Sequence, residues 1–158
     1  AAEVLQRLNA EHLTLCTAES CTGGLLGKLI TDVPGASSVY VGGVISYTNE
    51  VKHRVLGVSR DTLAQHTAVS AETAGEMARG ARRLLGADIA VSVTGLAGPD
   101  GDGTGRPVGL VYIALDRAAG CLVQELHLAG DRAAVRGAAA QAIFTLLLEA
   151  LSDSEGRV

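Results

Sequence analysis

At 158 residues, with 47 % hydrophobic residues but only 3 % aromatics, the chain suits one domain with a core of Ala, Val, Leu and Ile. Thirteen Lys and Arg against seventeen Asp and Glu give a net charge of -4, with the signs interspersed, a poor footprint for nucleic acid or an anionic membrane. Twenty glycines follow no short repeat, which excludes a fibrous or low-complexity chain.

In chain order, residues Ala2 to Glu11 read as a short helix with Val4, Leu5 and Leu8 on one face. Leu13 to Cys16 reads as a buried strand. Thr17 to Gly24 then turns into a helix carrying Leu25, Leu26, Leu29 and Ile30, stopped near Thr31-Asp32-Val33-Pro34-Gly35. Ser38 to Tyr47 is a second strand whose Gly42-Gly43 pair predicts a bulge or a close backbone approach. Asn49 caps a short helix through Leu56, closed by Gly57, and Ser59 or Asp61 begins another running to about Gln65. Ser70 caps a longer helix, Ala71 to Leu85, with Gly86 after its end.

Ala87 to Thr94 is a buried strand, followed by the glycine-rich loop from Gly95 to Gly105. Val108 to Leu115 and Cys121 to Leu128 form a hairpin through Asp116 to Gly120. A final helix covers about Asp131 to Leu151, and the last few residues read as loose. The expected architecture is a single domain over 1–158, three-layer α/β/α with a mixed sheet. The longest apolar stretch, Ala142 to Leu151, is too short to span a bilayer and is interrupted by Thr145 and Glu149. No signal peptide is visible where Glu3, Gln6 and Arg7 break up the start. Cys16, Cys21 and Cys121 lack metal or redox spacing, which points to a reducing compartment and a soluble cytoplasmic domain.

In such a sheet, ligands bind where strands end and helices begin. Four segments point to such ends: Glu19 to Gly24, Ser46 to Lys52, Thr94 to Gly98, and Gly130 to Arg132. Ser20 has three possible duties there: helix cap, phosphate contact or nucleophile. A nucleophilic serine needs a base, and none of His12, His53, His66 or His127 sits at a predicted site-forming end. Lys52 fits, since a partly desolvated amine loses its proton near neutral pH; Lys28, deep in its helix, reads as solvated. Tyr47 either shares a proton with Lys52 or packs on the sheet as a strand-end aromatic. Thr94 to Gly98 resembles an anion cradle of successive accessible amides, with the Asp100 to Gly103 tail an ordinary flexible loop. Arg132 is either a phosphate contact or a surface charge beside Asp131.

Two near matches fail. Thr22 to Leu29 is similar to a Walker A loop, but Thr22 replaces the first Gly and Leu29 the final Ser or Thr. The Asp100 loop begins like a calcium loop, yet Val111 stands where the bidentate Glu is needed, so no metal is expected. Cys21, also at the helix start, has no evident histidine partner and reads as an unreactive buried thiol.

Together the segments Thr17-Ala18-Glu19-Ser20-Cys21-Thr22-Gly23-Gly24, Ser46-Tyr47-Thr48-Asn49-Glu50-Val51-Lys52, Thr94-Gly95-Leu96-Ala97-Gly98-Pro99-Asp100-Gly101, Pro107-Val108-Gly109 and Gly130-Asp131-Arg132 are similar to the CinA C-terminal domain family. Its characterised members are nicotinamide mononucleotide deamidases. The resemblance covers nearly the whole chain and implies a three-layer α/β fold, with Ser20 as nucleophile, Lys52 as base and Tyr47 assisting at the reacting centre. It further implies that Thr94 and Arg132 contact the substrate. Thr22, Gly23 and Asn49, with Gly95, Ala97 and Gly98 of the loop, complete the expected substrate-binding set. The implied reaction is hydrolysis of the carboxamide of nicotinamide mononucleotide, with no cofactor or metal. A homo-oligomer, a dimer in the first instance, is expected. Some members of the family carry an N-terminal domain similar to molybdopterin-binding proteins, so the chain is either a stand-alone deamidase or a piece of a longer protein. The alternative function is a non-catalytic nucleotide-binding module, with Ser20 a cap; a third is an interaction domain in competence or DNA-damage responses.

Overall fold

A computed structural model describes residues 1–155; the reading of the last residues as loose falls in part on 156–158, outside the described residues. Its elements are α1 (Ala2–Ala10), β1 (Leu15–Glu19), α2 (Leu25–Thr31), β2 (Tyr40–Ile45), α3 (Asn49–Leu56), α4 (Arg60–His66), α5 (Ala71–Leu85), β3 (Ile89–Gly95), β4 (Leu110–Arg117), β5 (Gly120–His127) and α6 (Arg132–Glu155). The five strands form one sheet in the order β2-β1-β3-β4-β5. β2, β1 and β3 run parallel, while β3-β4 and β4-β5 are antiparallel. The expected mixed sheet, hairpin and helices on both faces are all present.

Strand alternation sorts the core into two layers. Leu15, Ile89, Val91, Val93, Ile113 and Leu115 face α1, α2 and α6. Cys16, Ala18 and Ala90 face α3 and α5, meeting Leu56, Met77 and Ala81. The second layer is built from smaller side chains, so its helices come closer. Ser92 on β3 donates to the Ala74 carbonyl of α5 at 2.6 Å. At Gly80 of α5, a Cβ would lie 1.8 Å from the Leu56 carbonyl oxygen. That contact seats the end of α3 directly on α5.

Several boundaries differ from the sequence expectation for physical reasons. β1 runs to Glu19 rather than ending at Cys16, because Thr17, Ala18 and Glu19 are paired on both sides and buried. Thr48, not Asn49, caps α3, its hydroxyl accepting from Val51 N at 3.3 Å; Asn49 is the first helical residue. Ser59 is the cap of α4, and Ser70 caps α5 through Thr73 N as expected. The Gly42-Gly43 expectation holds on both counts. The β1-β2 register shifts at Leu15/Cys16, and a Cβ at Gly43 would stand 2.2 Å from Thr17 Oγ1.

α6 corrects the reading that no apolar run reaches the length of a membrane span. Its 21 residues from Arg132 to Ser152 are long and apolar enough by length and composition alone. Its apolar side, including Val135, Ala139, Ile143 and Leu147, is packed into the sheet as a core helix.

Gly80→Ala is expected to lower the unfolding free energy by about 1–3 kcal/mol, the range for overpacking a tight contact. Urea denaturation of the two proteins checks this.

Candidate active site

The turn after β1, which carries Ser20, is organised by Glu19. Its carboxylate is only 2 % exposed and lies under the first turn of α2. Oε2 accepts from Thr22 Oγ1 at 2.7 Å and from the amides of Gly24 and Leu26, both at 3.0 Å. Oε1 accepts from Gly27 N at 2.9 Å. These amides are the donors that a helix start leaves unpaired. Glu19 therefore caps α2, and Ser20 does not; the cap position itself, Gly24, has a left-handed φ of 103° and no side chain to offer. With capping removed from its duties, Ser20 presents Oγ to Lys52 Nζ at 2.8 Å.

From the other side Arg136 of α6 donates to Cys21 O at 3.1 Å and Thr22 O at 2.7 Å, clamping the same turn. Ser20 N donates to Val93 O, while the amides of Cys21 and Thr22 donate to no oxygen of the described residues.

Lys52 lies one turn into α3 and is 1 % exposed. Nζ donates to the Ser46 carbonyl at 2.7 Å. Burial disfavours its charged form and pulls its pKa down to about 8, with the Cys21 thiol acting weakly the other way. The amine is thus set near neutrality in direct contact with a serine hydroxyl. Cys21 is pushed up to about 11, chiefly by burial, which keeps it a thiol. Lys28 is exposed and paired with Asp32, as expected for a solvated charge.

A cavity of about 180 Å³ opens over Ser20 and Lys52. Of the residues singled out in the sequence, Tyr47, Thr94, Gly95, Ala97 and Arg132 also line it. Arg132 donates to Gly98 O at 2.7 Å and to the Tyr47 hydroxyl at 3.0 Å, bridging three of the four predicted segments. Thr94 Oγ1 donates to Ala68 O at 2.6 Å and so holds the opposite wall.

Four expected substrate contacts lie outside the lining. Thr22 is fully buried and its hydroxyl is committed to Glu19. Gly23 backs onto the Arg136 side chain. Asn49 sits on the exposed first turn of α3, and Gly98 contributes through its carbonyl to Arg132. The cradle of successive amides is also narrower than expected. Thr94 and Gly95 belong to β3, and Leu96 N donates to Leu110 O at 2.9 Å.

Sequence reasoning missed Asp102, Ala68 and Val69 in the lining. Asp102 lies in the segment read as an ordinary loop. Its carboxylate accepts from Thr104 N and Oγ1, and these bonds hold it below the usual carboxylate range. Arg136 was findable, since it follows Arg132 by four residues and shares its helix face. Among the described residues no group of three His, Cys, Asp or Glu side chains could hold a metal ion, and the three cysteines are free thiols.

The chain belongs to the CinA C-terminal domain family, whose model matches residues 1–151. It is 53 % identical over 133 residues to a CinA-like protein of Geobacter sulfurreducens, covering 84 % of this chain and 32 % of that protein. It is 47 % identical over 153 residues to a putative competence-damage inducible protein of Halothermothrix orenii, covering 96 % of this chain and 37 % of the relative. The chain thus spans about a third of the length of these curated relatives. Among solved structures, a CinA superfamily protein from Klebsiella pneumoniae superposes with a TM-score of 0.94 at 37 % identity, covering 96 % of this chain and 95 % of that one. A CinA superfamily protein from Escherichia coli gives 0.91 at 35 % identity, covering 93 % and 86 %.

Lys52 is buried at a penalty that depends on pH. Its folded pKa of about 8 lies below the ordinary 10.5, so between these values the unfolded chain binds the extra proton. Stability from this group therefore rises with pH across that window and is lowest below about 8. The difference in unfolding free energy between wild type and Lys52→Met is expected to change by on the order of 3 kcal/mol from pH 7 to pH 10.5 in favour of wild type, read from denaturation curves at each pH.

Proposed function

We propose that the chain is a nicotinamide-nucleotide amidohydrolase that releases ammonia from nicotinamide mononucleotide through a Ser–Lys dyad. The observation that carries this reading is the 2.8 Å contact between Ser20 Oγ and an amine that is 1 % exposed. A surface lysine would stay protonated and a capping serine would face the helix, and neither describes this pair.

In the reaction, neutral Lys52 takes the Ser20 proton as Oγ attacks the carboxamide carbon. The amide of Cys21, in the cavity lining beside Ser20, is a donor for the oxyanion. Lys52, now an ammonium, passes a proton to the departing nitrogen, which leaves as ammonia. Water then cleaves the acyl-enzyme with the amine again as base. Arg132, fixed by Gly98 O and Tyr47, would hold the phosphate at the cavity mouth. The cavity carries one guanidinium, Arg132, and one carboxylate, Asp102. That pattern matches a substrate with a cationic pyridinium ring and an anionic phosphate.

Ser20→Ala and Lys52→Ala are expected to abolish ammonia release, while Cys21→Ala keeps most of it and turnover persists in EDTA. A coupled ammonia assay decides; an active Ser20→Ala protein overturns the nucleophile assignment, and saturable binding without product overturns the enzyme. Because the base must be neutral, kcat/KM should rise with pH to a plateau above about 8, the value burial sets for Lys52. Arg132→Ala should raise KM roughly 10- to 100-fold, as expected for loss of one hydrogen bond to a charged group.

A further inference from the structure

Among the described residues a single buried side-chain polar atom lacks any hydrogen-bond partner: Ser46 Oγ. Ser46 is 0 % exposed, and the cavity lining does not include it. A buried hydroxyl without a partner costs about 1–3 kcal/mol, so such an atom calls for an explanation. Its position supplies one. Ser46 N donates to Glu19 O at 2.8 Å, which carries the β1-β2 ladder one residue past β2. Strand alternation then puts Ser46 on the same face as Val44, which packs against the core cluster that contains Leu56. Lys52 and Leu56 are the two buried residues of α3, four apart on one side of the helix. The unpartnered hydroxyl therefore belongs to the layer that holds Lys52, on the residue whose carbonyl already receives Nζ at 2.7 Å.

Proton counting shows what the hydroxyl is for. A neutral amine has two N–H groups and one lone pair. With the lone pair toward Ser20, one N–H on the Ser46 carbonyl and the other toward the cavity that Lys52 lines, it makes no demand on Ser46 Oγ. When the amine takes the Ser20 proton, it becomes an ammonium with three N–H groups in a dry site. One remains on the Ser46 carbonyl, and one points to the departing nitrogen. The third, the proton taken from Ser20, faces an Oγ that is now bonded to carbon and accepts poorly, so it needs another acceptor.

We propose that Ser46 is a positioning residue whose hydroxyl turns to accept this third N–H, so that the ammonium holds the proton taken from Ser20 until the leaving nitrogen collects it. The inference rests on the Ser–Lys reading above. In the full step the Ser20 O–H bond breaks and its proton goes to Nζ while Oγ bonds to the carboxamide carbon. The C–N bond then breaks and ammonia departs with one ammonium proton. Lys52 is left neutral, and Ser46 Oγ is again without a partner. In the structure Ser46 Oγ has no partner, as this last state requires.

The ionisable groups facing Lys52 are few, so its titration is readable. The turn after β1 presents Cys21, the end of β2 presents Tyr47, the 98–107 loop presents Asp102, and α6 presents Arg132. β3 and the segment before α5 present no ionisable group to the cavity, only Thr94, Gly95, Ala68 and Val69.

Ser46→Ala is expected to fold with an unchanged or raised Tm, because it removes an unpartnered hydroxyl. Its kcat should fall roughly 10- to 100-fold with KM unchanged, the range for one hydrogen bond to a charged group. The acid limb of kcat/KM should move to lower pH, since an ammonium that has lost an acceptor gives up its proton more readily. Ser46→Thr, which keeps a hydroxyl, should restore the limb. A second readout avoids the substrate: the pH dependence of Ser20 labelling by a fluorophosphonate, followed by intact mass, should shift in the same direction. Wild-type kcat and a limb at its wild-type position in Ser46→Ala would overturn the proposal. If wild type labels at Ser20 but releases no ammonia from nicotinamide mononucleotide, the substrate assignment falls. The labelling profile then decides Ser46 alone: a shifted limb supports the relay and a coincident one overturns it.

Discussion

The Glu19 carboxylate, closed in at the end of β1 by one hydroxyl and three amides of the next turn, sets the geometry on which the remaining site is built. A buried carboxylate is tolerated only where donors surround it, and a helix start supplies them in a fixed fan. The consequence is one of division of labour. Because Glu19 takes the amides of α2, the neighbouring serine needs none of them. Its hydroxyl is left pointing across the sheet end toward α3, with Arg136 pinning the carbonyls of the same turn from α6.

The second requirement is a lysine that gives up solvent. α3 is short, capped by Thr48 and stopped by Gly57, and its own helical energy is small. What holds it against the sheet is the close packing of the layer beneath, where Gly80 admits the Leu56 carbonyl and small side chains line α5. That packing carries Lys52 into the interior and lowers its proton affinity. Fold stability and base strength are therefore coupled through one interface. A change that loosens α3 from α5 would let water reach the amine and return it toward an ordinary, protonated lysine.

The cavity over this pair is assembled from parts that are remote in sequence. Arg132 reaches the Gly98 carbonyl and Tyr47 from the start of a helix whose other side is core. The membrane-like length and apolarity of α6 have the same origin: a helix that covers the middle of a sheet must be apolar along much of its length. Composition alone does not separate such a helix from a membrane span, and burial against β-strands does.

The sequence by itself determined the element order, the mixed three-layer architecture and the identity of the segments that meet at the strand ends. It could do so because hydrophobic period, glycine stops and Ser or Thr caps are local signals, as at Ser70, Gly57 and Gly86. It also singled out Ser20, Lys52, Tyr47, Thr94 and Arg132 from the chemistry of their residue types and from family resemblance. Only the tertiary structure decided which of Ser20 and Glu19 caps α2, that Thr22 faces the core, that Asp102 enters the cavity lining, and that Ser46 keeps a buried hydroxyl without a partner. Each of these depends on which way a side chain points once strands remote in sequence, such as β1 and β2 with Leu15 opposite Tyr40, are paired. Spacing along a chain carries no record of that direction; the pairing of β1 with β2 and β3 creates it.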